Sequence, residues 1–182
     1  NDVIAMVRKY SAADRIAFMH MRNILIMPDG SFEVNASGCW NRMIDQEYIP
    51  DCSWVQDDKE PFHGKYALRS SGKAPLTLLT EGFCSPGAFS LYMKSDTPGA
   101  KVKIEVGSYD RFAQQLLAGK IFDVPLKWSR LSLRIPKKWL KFETGTAPLW
   151  VRVTPVGKGT LWADAAQLEK ENVTPFKPYK VA

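Results

Sequence analysis

Phe89-Ser90-Leu91-Tyr92-Met93-Lys94 alternates apolar and polar side chains, and Lys101-Val102-Lys103-Ile104-Glu105-Val106 does the same in the opposite phase. In an extended chain successive side chains point to opposite faces, so each stretch has one apolar and one wet face. Arg130-Leu131-Ser132-Leu133-Arg134-Ile135 and Leu149-Trp150-Val151-Arg152-Val153-Thr154 repeat the pattern. Ala67 to Ser71, Leu76 to Thr80 and Thr160 to Leu168 are further short runs, and most of the seven are bounded by Gly, Pro, Ser or Asp. One-sided strands pair antiparallel and cover their apolar faces by stacking two sheets. The pattern predicts an all-β antiparallel β-sandwich of jelly-roll type. The one helix-like pattern in this region, Arg111 to Ala118, is expected to add a turn or two between strands.

The rest of the chain fits around that core. Its 182 residues are 45% hydrophobic, 24% charged and 12% aromatic, the profile of one folded domain with one sizeable core. No run approaches the roughly 20 apolar residues that cross a bilayer, so no membrane span is expected. The start at Asn1, with no signal pattern, reads as a processed chain or a piece of a longer one. Residues 1–22 look unlike the remainder of the chain and read as a short N-terminal extension, a linker or the tail of a preceding domain. Residues 23–182 form the sandwich. Six Trp are many for this length and need an account.

Charge is segregated along the chain. Lys101 to Lys141 holds ten Lys or Arg against three acids, whereas Pro28 to Phe62 holds eight acids against two bases. Either an anionic partner meets the first and a cation the second, or two solvated faces attract each other. Zinc-finger spacing, an RNP-like aromatic motif and a basic helix are all missing, so no nucleic-acid partner is expected. Cys39 and Cys52 either bond across a loop or are, with Cys84, buried thiols, and none has metal-ligand spacing. GxSxG, HExxH, the P-loop and GxGxxG do not occur, and nothing fixes two carboxylates across a cleft, so the chain is not expected to be an enzyme.

A resemblance emerges from several short pieces in order. They are Pro28-Asp29-Gly30-Ser31-Phe32-Glu33, Gly38-Cys39-Trp40, His63-Gly64-Lys65-Tyr66-Ala67-Leu68-Arg69, Phe89 to Lys94 and Trp128-Ser129-Arg130. Gly159 to Glu169 and Thr174 to Tyr179 complete the set. Together these resemble carbohydrate-binding modules of the galactose-binding-like β-sandwich type, the group whose pattern reads NGSFE, HSGKYAL and DAVQLE. Such modules occur attached to glycoside hydrolases and in some phage tail proteins. The resemblance spans about residues 23 to 180 and implies a fold, not a ligand. It also implies a structural calcium ion held by Glu33 and Asp164 with backbone carbonyls near Gly30 and Lys65. A salt bridge from Asp164 to Lys65 is the alternative. An extracellular or periplasmic location is implied by the same resemblance.

The resemblance directs attention to exposed flat aromatics, because sugars offer apolar CH faces and rings of hydroxyls. Strand phase places Tyr92 on the wet face with Ser90 and Lys94, and Trp150 on the wet face with Arg152 and Thr154. These two strands are expected to form one platform, with Arg130 or Arg152 donating hydrogen bonds to a polysaccharide or oligosaccharide. Trp54 in the long segment from Val34 to Gly64 forms a wall, and Tyr109 another. Trp40 and Trp128 are expected in the core with Phe32, and Asp164 is expected on one face with Trp162 and Ala166. The function implied is a non-catalytic module that attaches a glycan-degrading enzyme to its polymer, with a covalently linked or neighbouring catalytic domain as partner. The alternative is a structural or interaction β-sandwich that packs on such a domain or in a phage-tail-like assembly.

Overall fold

The computed structural model describes residues 32–33, 54–70, 72–80, 87–110, 113–136, 149–169 and 172–177. Among them are nine strands: β1 (Trp54–Asp57), β2 (Ala67–Ser70), β3 (Leu76–Thr80), β4 (Ala88–Ser95), β5 (Lys101–Asp110), β6 (Ala113–Asp123), β7 (Ser129–Arg134), β8 (Leu149–Val156) and β9 (Leu161–Glu169). They form a five-stranded sheet ordered β1-β2-β9-β4-β7 and a four-stranded sheet ordered β3-β8-β5-β6. Every pairing is antiparallel. Among the described residues no helix is long and apolar enough to cross a membrane.

The alternation read from the sequence sets the inward faces. Phe89, Leu91 and Met93 of β4 with Leu131 and Leu133 of β7 line one side of a single buried cluster. Val102, Ile104 and Val106 of β5 with Leu149, Val151 and Val153 of β8 line the other. Two sheets sharing one apolar core make a β-sandwich, and burying each large side chain there contributes about 1.5–3 kcal/mol.

Three local expectations are corrected. Arg111 to Ala118 adds no helical turn, since Ala113–Asp123 is β6 and pairs with β5 from Lys101↔Asp123 to Asp110↔Ala113. Gln, Leu and Ala favour helices by only tenths of a kcal/mol per residue, and a long ladder beside a buried face outweighs that. Trp54 is no loop wall: it begins β1, is 5% exposed, belongs to the core and donates its indole N–H to the Ala74 carbonyl at 3.0 Å. The third correction concerns β9. Ala165 adopts φ 49°, and the β4–β9 register shifts between Ser90 and Tyr92. This bulge re-phases the strand, so Ala163 and Ala166 both enter the core and Ala166 does not share a face with Trp162.

Phe32 and Glu33 are described, and Phe32 is in the core as expected. The Phe32 ring is fully buried, its carbonyl accepts the Gln56 side-chain N–H at 2.8 Å, and Glu33 turns to the loop after β1. Cys39, Cys52, Cys84, Trp40, Trp139 and residues 1–22 lie outside the described residues.

Candidate binding face and cation site

Because Leu149, Val151 and Val153 face the core, Trp150, Arg152 and Thr154 occupy the outer face of the four-stranded sheet. Across β5 the register sets Gly107 opposite Trp150, Glu105 opposite Arg152 and Lys103 opposite Thr154, while Thr77 of β3 lies opposite Arg152 on the other side. A Cβ at Gly107 would stand 2.1 Å from Cζ2 and 2.2 Å from Cε2 of Trp150, so the indole lies down against the Gly107 backbone. Glycine in mid-strand marks such a close approach, and it is the one signal in the sequence for a site residue that strand phase does not single out.

Trp150 faces outward as expected but is not the exposed platform expected of it: it is 4% exposed, covered although it lies outside the core, and its indole N–H is buried with no hydrogen-bond partner among the described residues. The Arg152 Nε–H is buried and unpartnered in the same way, with the guanidinium carbon 5.1 Å from the centre of the Trp150 ring. Glu105, across from Arg152, is held by Lys103 Nζ at 2.6 Å. A buried donor without an acceptor costs about 1–3 kcal/mol, so two on adjacent outward positions of one strand call for a partner. Tyr109 lies two residues beyond Gly107, opposite Gln114.

Tyr92 is elsewhere. It lies on β4, in the five-stranded sheet, whereas Trp150 lies on β8 in the other, so the expected common platform of the two does not form. The Phe62 ring stacks on Tyr92 with centroids 3.6 Å apart and planes 13° from parallel, and Arg130 reaches within 5.6 Å of the Tyr92 centroid. Arg130 also donates to Ser90 Oγ at 2.9 Å and to the Thr174 carbonyl. Trp128, expected in the core, is on this same outer side, half-buried, and donates its indole N–H to the Glu60 carbonyl at 3.0 Å. Lys94 lies 5.1 Å from the Trp128 ring and 5.4 Å from the Trp162 ring, and pairs with Glu60 at 3.2 Å. Trp162 in turn donates to Asp57 at 3.1 Å, and Asp57 pairs with Arg69 at 3.1 Å. These contacts fasten the loop between β1 and β2 onto the sheet, and Phe62 covers one face of Tyr92.

The same loop carries the candidate cation site. Asp164 is fully buried, and its Oδ2 accepts the backbone N–H groups of Phe62 and His63, both at 2.9 Å. Its Oδ1 accepts the Ala165 N–H at 2.5 Å. Glu33 Oε1 accepts the N–H groups of Lys65 and Tyr66 at 2.8 and 3.2 Å. Between them Gly64 has φ +68°, and a Cβ there would sit 2.1 Å from Glu33 Oε1. The chain thus folds tightly around a carboxylate, which only glycine allows at that point. Burial pushes the Asp164 carboxyl up to about 7, opposed by its three backbone N–H donors and aided by the nearby Glu33 charge. Two neighbouring carboxylates, one of them dry, fit a hard cation that takes oxygen ligands. Among the described residues no group of three or more His, Cys, Asp or Glu occurs, so carbonyls and water would complete such a shell. Gly30 lies outside the described residues, and the Lys65 ammonium lies 4.8 Å from the Tyr66 ring.

The sequence matches no protein-family model. The fold is similar to the CBM22-1 xylan-binding domain from Paenibacillus barcinonensis Xyn10C, with TM-score 0.57 and 16% identity over 85% of this chain and 100% of that one. It is also similar to the C-terminal family 22 carbohydrate-binding module of Clostridium thermocellum Xyn10B, with TM-score 0.51, 13% identity, and coverage of 80% and 94%. A third similar structure holds the CBM22-1 and GH10 modules of Clostridium thermocellum Xyn10B with xylohexaose. There the TM-score is 0.52 and the identity 14%, over 85% of this chain and 29% of that one. The chain has the β-sandwich fold seen in these carbohydrate-binding modules.

Proposed function

We propose that this chain is a non-catalytic carbohydrate-binding domain of the galactose-binding-like, jelly-roll type. In this reading it attaches a linked or neighbouring glycan-degrading enzyme to its polysaccharide, outside the cell or in the periplasm. The observation that carries the proposal is the β-sandwich fold, similar over 85% of this chain to the CBM22-1 xylan-binding domain. Trp150 and Arg152, on the outer face of the four-stranded sheet with the guanidinium 5.1 Å from the indole ring, are the residues put to the test. Calcium belongs to the same proposal as a structural ion. Glu33 and Asp164 would hold it, neutralising the buried charge and locking the loop from Phe62 to Tyr66 onto β9.

Affinity electrophoresis against a panel of plant and microbial polysaccharides tests the binding. Trp150→Ala and Arg152→Ala are expected to abolish retention, while Trp54→Phe, which alters only the core, keeps it. Retention of Trp150→Ala at parental strength would move the site off this face.

A second reading, an interaction domain seated on a neighbouring protein domain, is favoured by Leu116 and Ile121. They are 53% and 52% exposed on β6, an edge strand. No retention by any glycan would leave that reading standing.

A further inference from the structure

We infer that the cation site and the strap that follows β9, residues 172–177, are coupled, so that filling the one favours docking of the other. This rests on the structural-calcium reading above and adds a regulation of that site. The strap is fastened through side chains. Thr174 donates its backbone N–H to Glu169 Oε1 at 2.7 Å, and its hydroxyl donates to the same carboxylate. The Lys177 N–H donates to Gln167 Oε1 at 2.9 Å, and Arg130 donates to the Thr174 carbonyl. Every residue of the strap is exposed except Phe176, which is half-buried and stands edge-on to the His63 ring, with centroids 5.1 Å apart and planes at 71°.

Two chains of contact run from the strap to the site. His63, which touches Phe176 with its ring, gives its backbone N–H to Asp164 Oδ2 at 2.9 Å. Phe62 gives its own N–H to the same oxygen, while its ring stacks on Tyr92. Arg130 approaches the Tyr92 ring at 5.6 Å with the same guanidinium that holds Thr174. The loop from Phe62 to Tyr66 is therefore the shared element: it closes around Asp164 and Glu33 on one side and carries the strap on the other. The two carboxylates repel each other when both are charged, and that repulsion works to open the loop. A divalent cation cancels the repulsion, so the loop stays closed and presents His63 and Phe62 to the strap. By linkage a docked strap tightens cation binding by the same factor. The edge-on aromatic pair sets the scale of that factor at about two- to tenfold.

Hydrogen exchange of the full chain in EDTA and in calcium chloride reads one direction of the coupling, and calorimetric titration with calcium chloride reads the other. Calcium is expected to slow the Thr174 and Lys177 amides by about two- to tenfold beyond any change at the Val124 amide, which bonds the Ala100 carbonyl and follows overall stability. Phe176→Ala is expected to weaken calcium by the same factor. In a His63→Ala chain, which keeps the backbone N–H to Asp164, Phe176→Ala is expected to change calcium affinity no further. The exchange comparison uses the unchanged chain, so it decides the matter even if a variant misfolds. Slowed loop amides with unchanged strap amides, or an unchanged calcium constant in Phe176→Ala, overturn the coupling and leave the calcium reading intact. An effect of Phe176→Ala that persists in full in the His63→Ala chain also overturns it, since the ring would then act through general packing. No calcium binding by the parent chain removes both readings.

Discussion

Gly107→Ala is a one-carbon change whose cost can be worked out from the structure. The added Cβ would lie 2.1 Å from Cζ2 of Trp150 and 2.7 Å from the Gln115 carbonyl oxygen, a backbone atom. Ordinary carbon contacts begin near 3.5 Å, so the indole must retreat by roughly 1.5 Å, and the strand on the other side resists. Overpacking of this kind costs about 1–3 kcal/mol. In a chain of 182 residues that lowers the melting temperature by roughly 2–12 °C. Gly119→Ala is the matched control one strand away, because its Cβ would meet Glu105 Cγ at 3.4 Å and nothing nearer. That substitution is expected to be neutral or to stabilise by about 0.5 kcal/mol. Urea unfolding followed by Trp fluorescence reads both. A double-mutant cycle with Trp150→Ala isolates the contact, because Gly107→Ala should lose the indole's share of its cost once the indole is gone and keep the share that comes from the Gln115 carbonyl. Additive effects in that cycle, or a Gly107→Ala midpoint equal to that of Gly119→Ala, would refute the placement of Trp150 against Gly107.

Calcium at a hundred times its dissociation constant should stabilise the unmutated chain by about 2.7 kcal/mol, visible as a melting shift that Glu33→Gln and Asp164→Asn lose. In chelator Asp164→Asn should cost about 1–3 kcal/mol, because both carboxylate oxygens accept backbone N–H groups and the amide NH2 can accept none; identical melting of the parent with and without calcium rules the ion out. Asp96 Oδ1 accepts the Thr97 hydroxyl at 2.7 Å and the Thr160 N–H at 2.8 Å, and these bonds hold its carboxyl below the usual value. Its stabilising contribution is therefore present above pH 3.8 and is lost as pH falls through the lower folded value. Asp96→Asn should cost a few tenths to about 1 kcal/mol at neutral pH, given its exposure, and flatten the acid limb of a stability–pH curve. An unchanged acid limb would show that the turn does not depend on this carboxylate.

What the sequence determined by itself was local. A side-chain period of two is a property of the extended backbone, so the phase of β4, β5, β7 and β8 was legible before any pairing was known, and with it the inward set from Phe89 to Val153. The burial of Phe32 was expected as well, although the chain there is not extended: Phe32 adopts φ 57° outside any strand. Phase says which residues share a face of one strand. It does not say which strands share a sheet, and that depends on contacts far apart in the chain. Tyr92 and Trp150 were both legible as outward, yet only the strand order put them on opposite sides of the sandwich, and only the folded loop brought Phe62 over Tyr92. Trp54 and Trp128 exchanged roles for the same reason, since an aromatic beside polar neighbours gives no sign of whether a distant segment will cover it. The single extra residue at Ala165, which shifts the phase of β9 and leaves Asp164 buried on the outer side, is likewise a product of pairing. Tertiary structure alone decided where the unpartnered donors of Trp150 and Arg152 came to rest, because burial and the lack of an acceptor are relations between strands and belong to no single stretch of sequence.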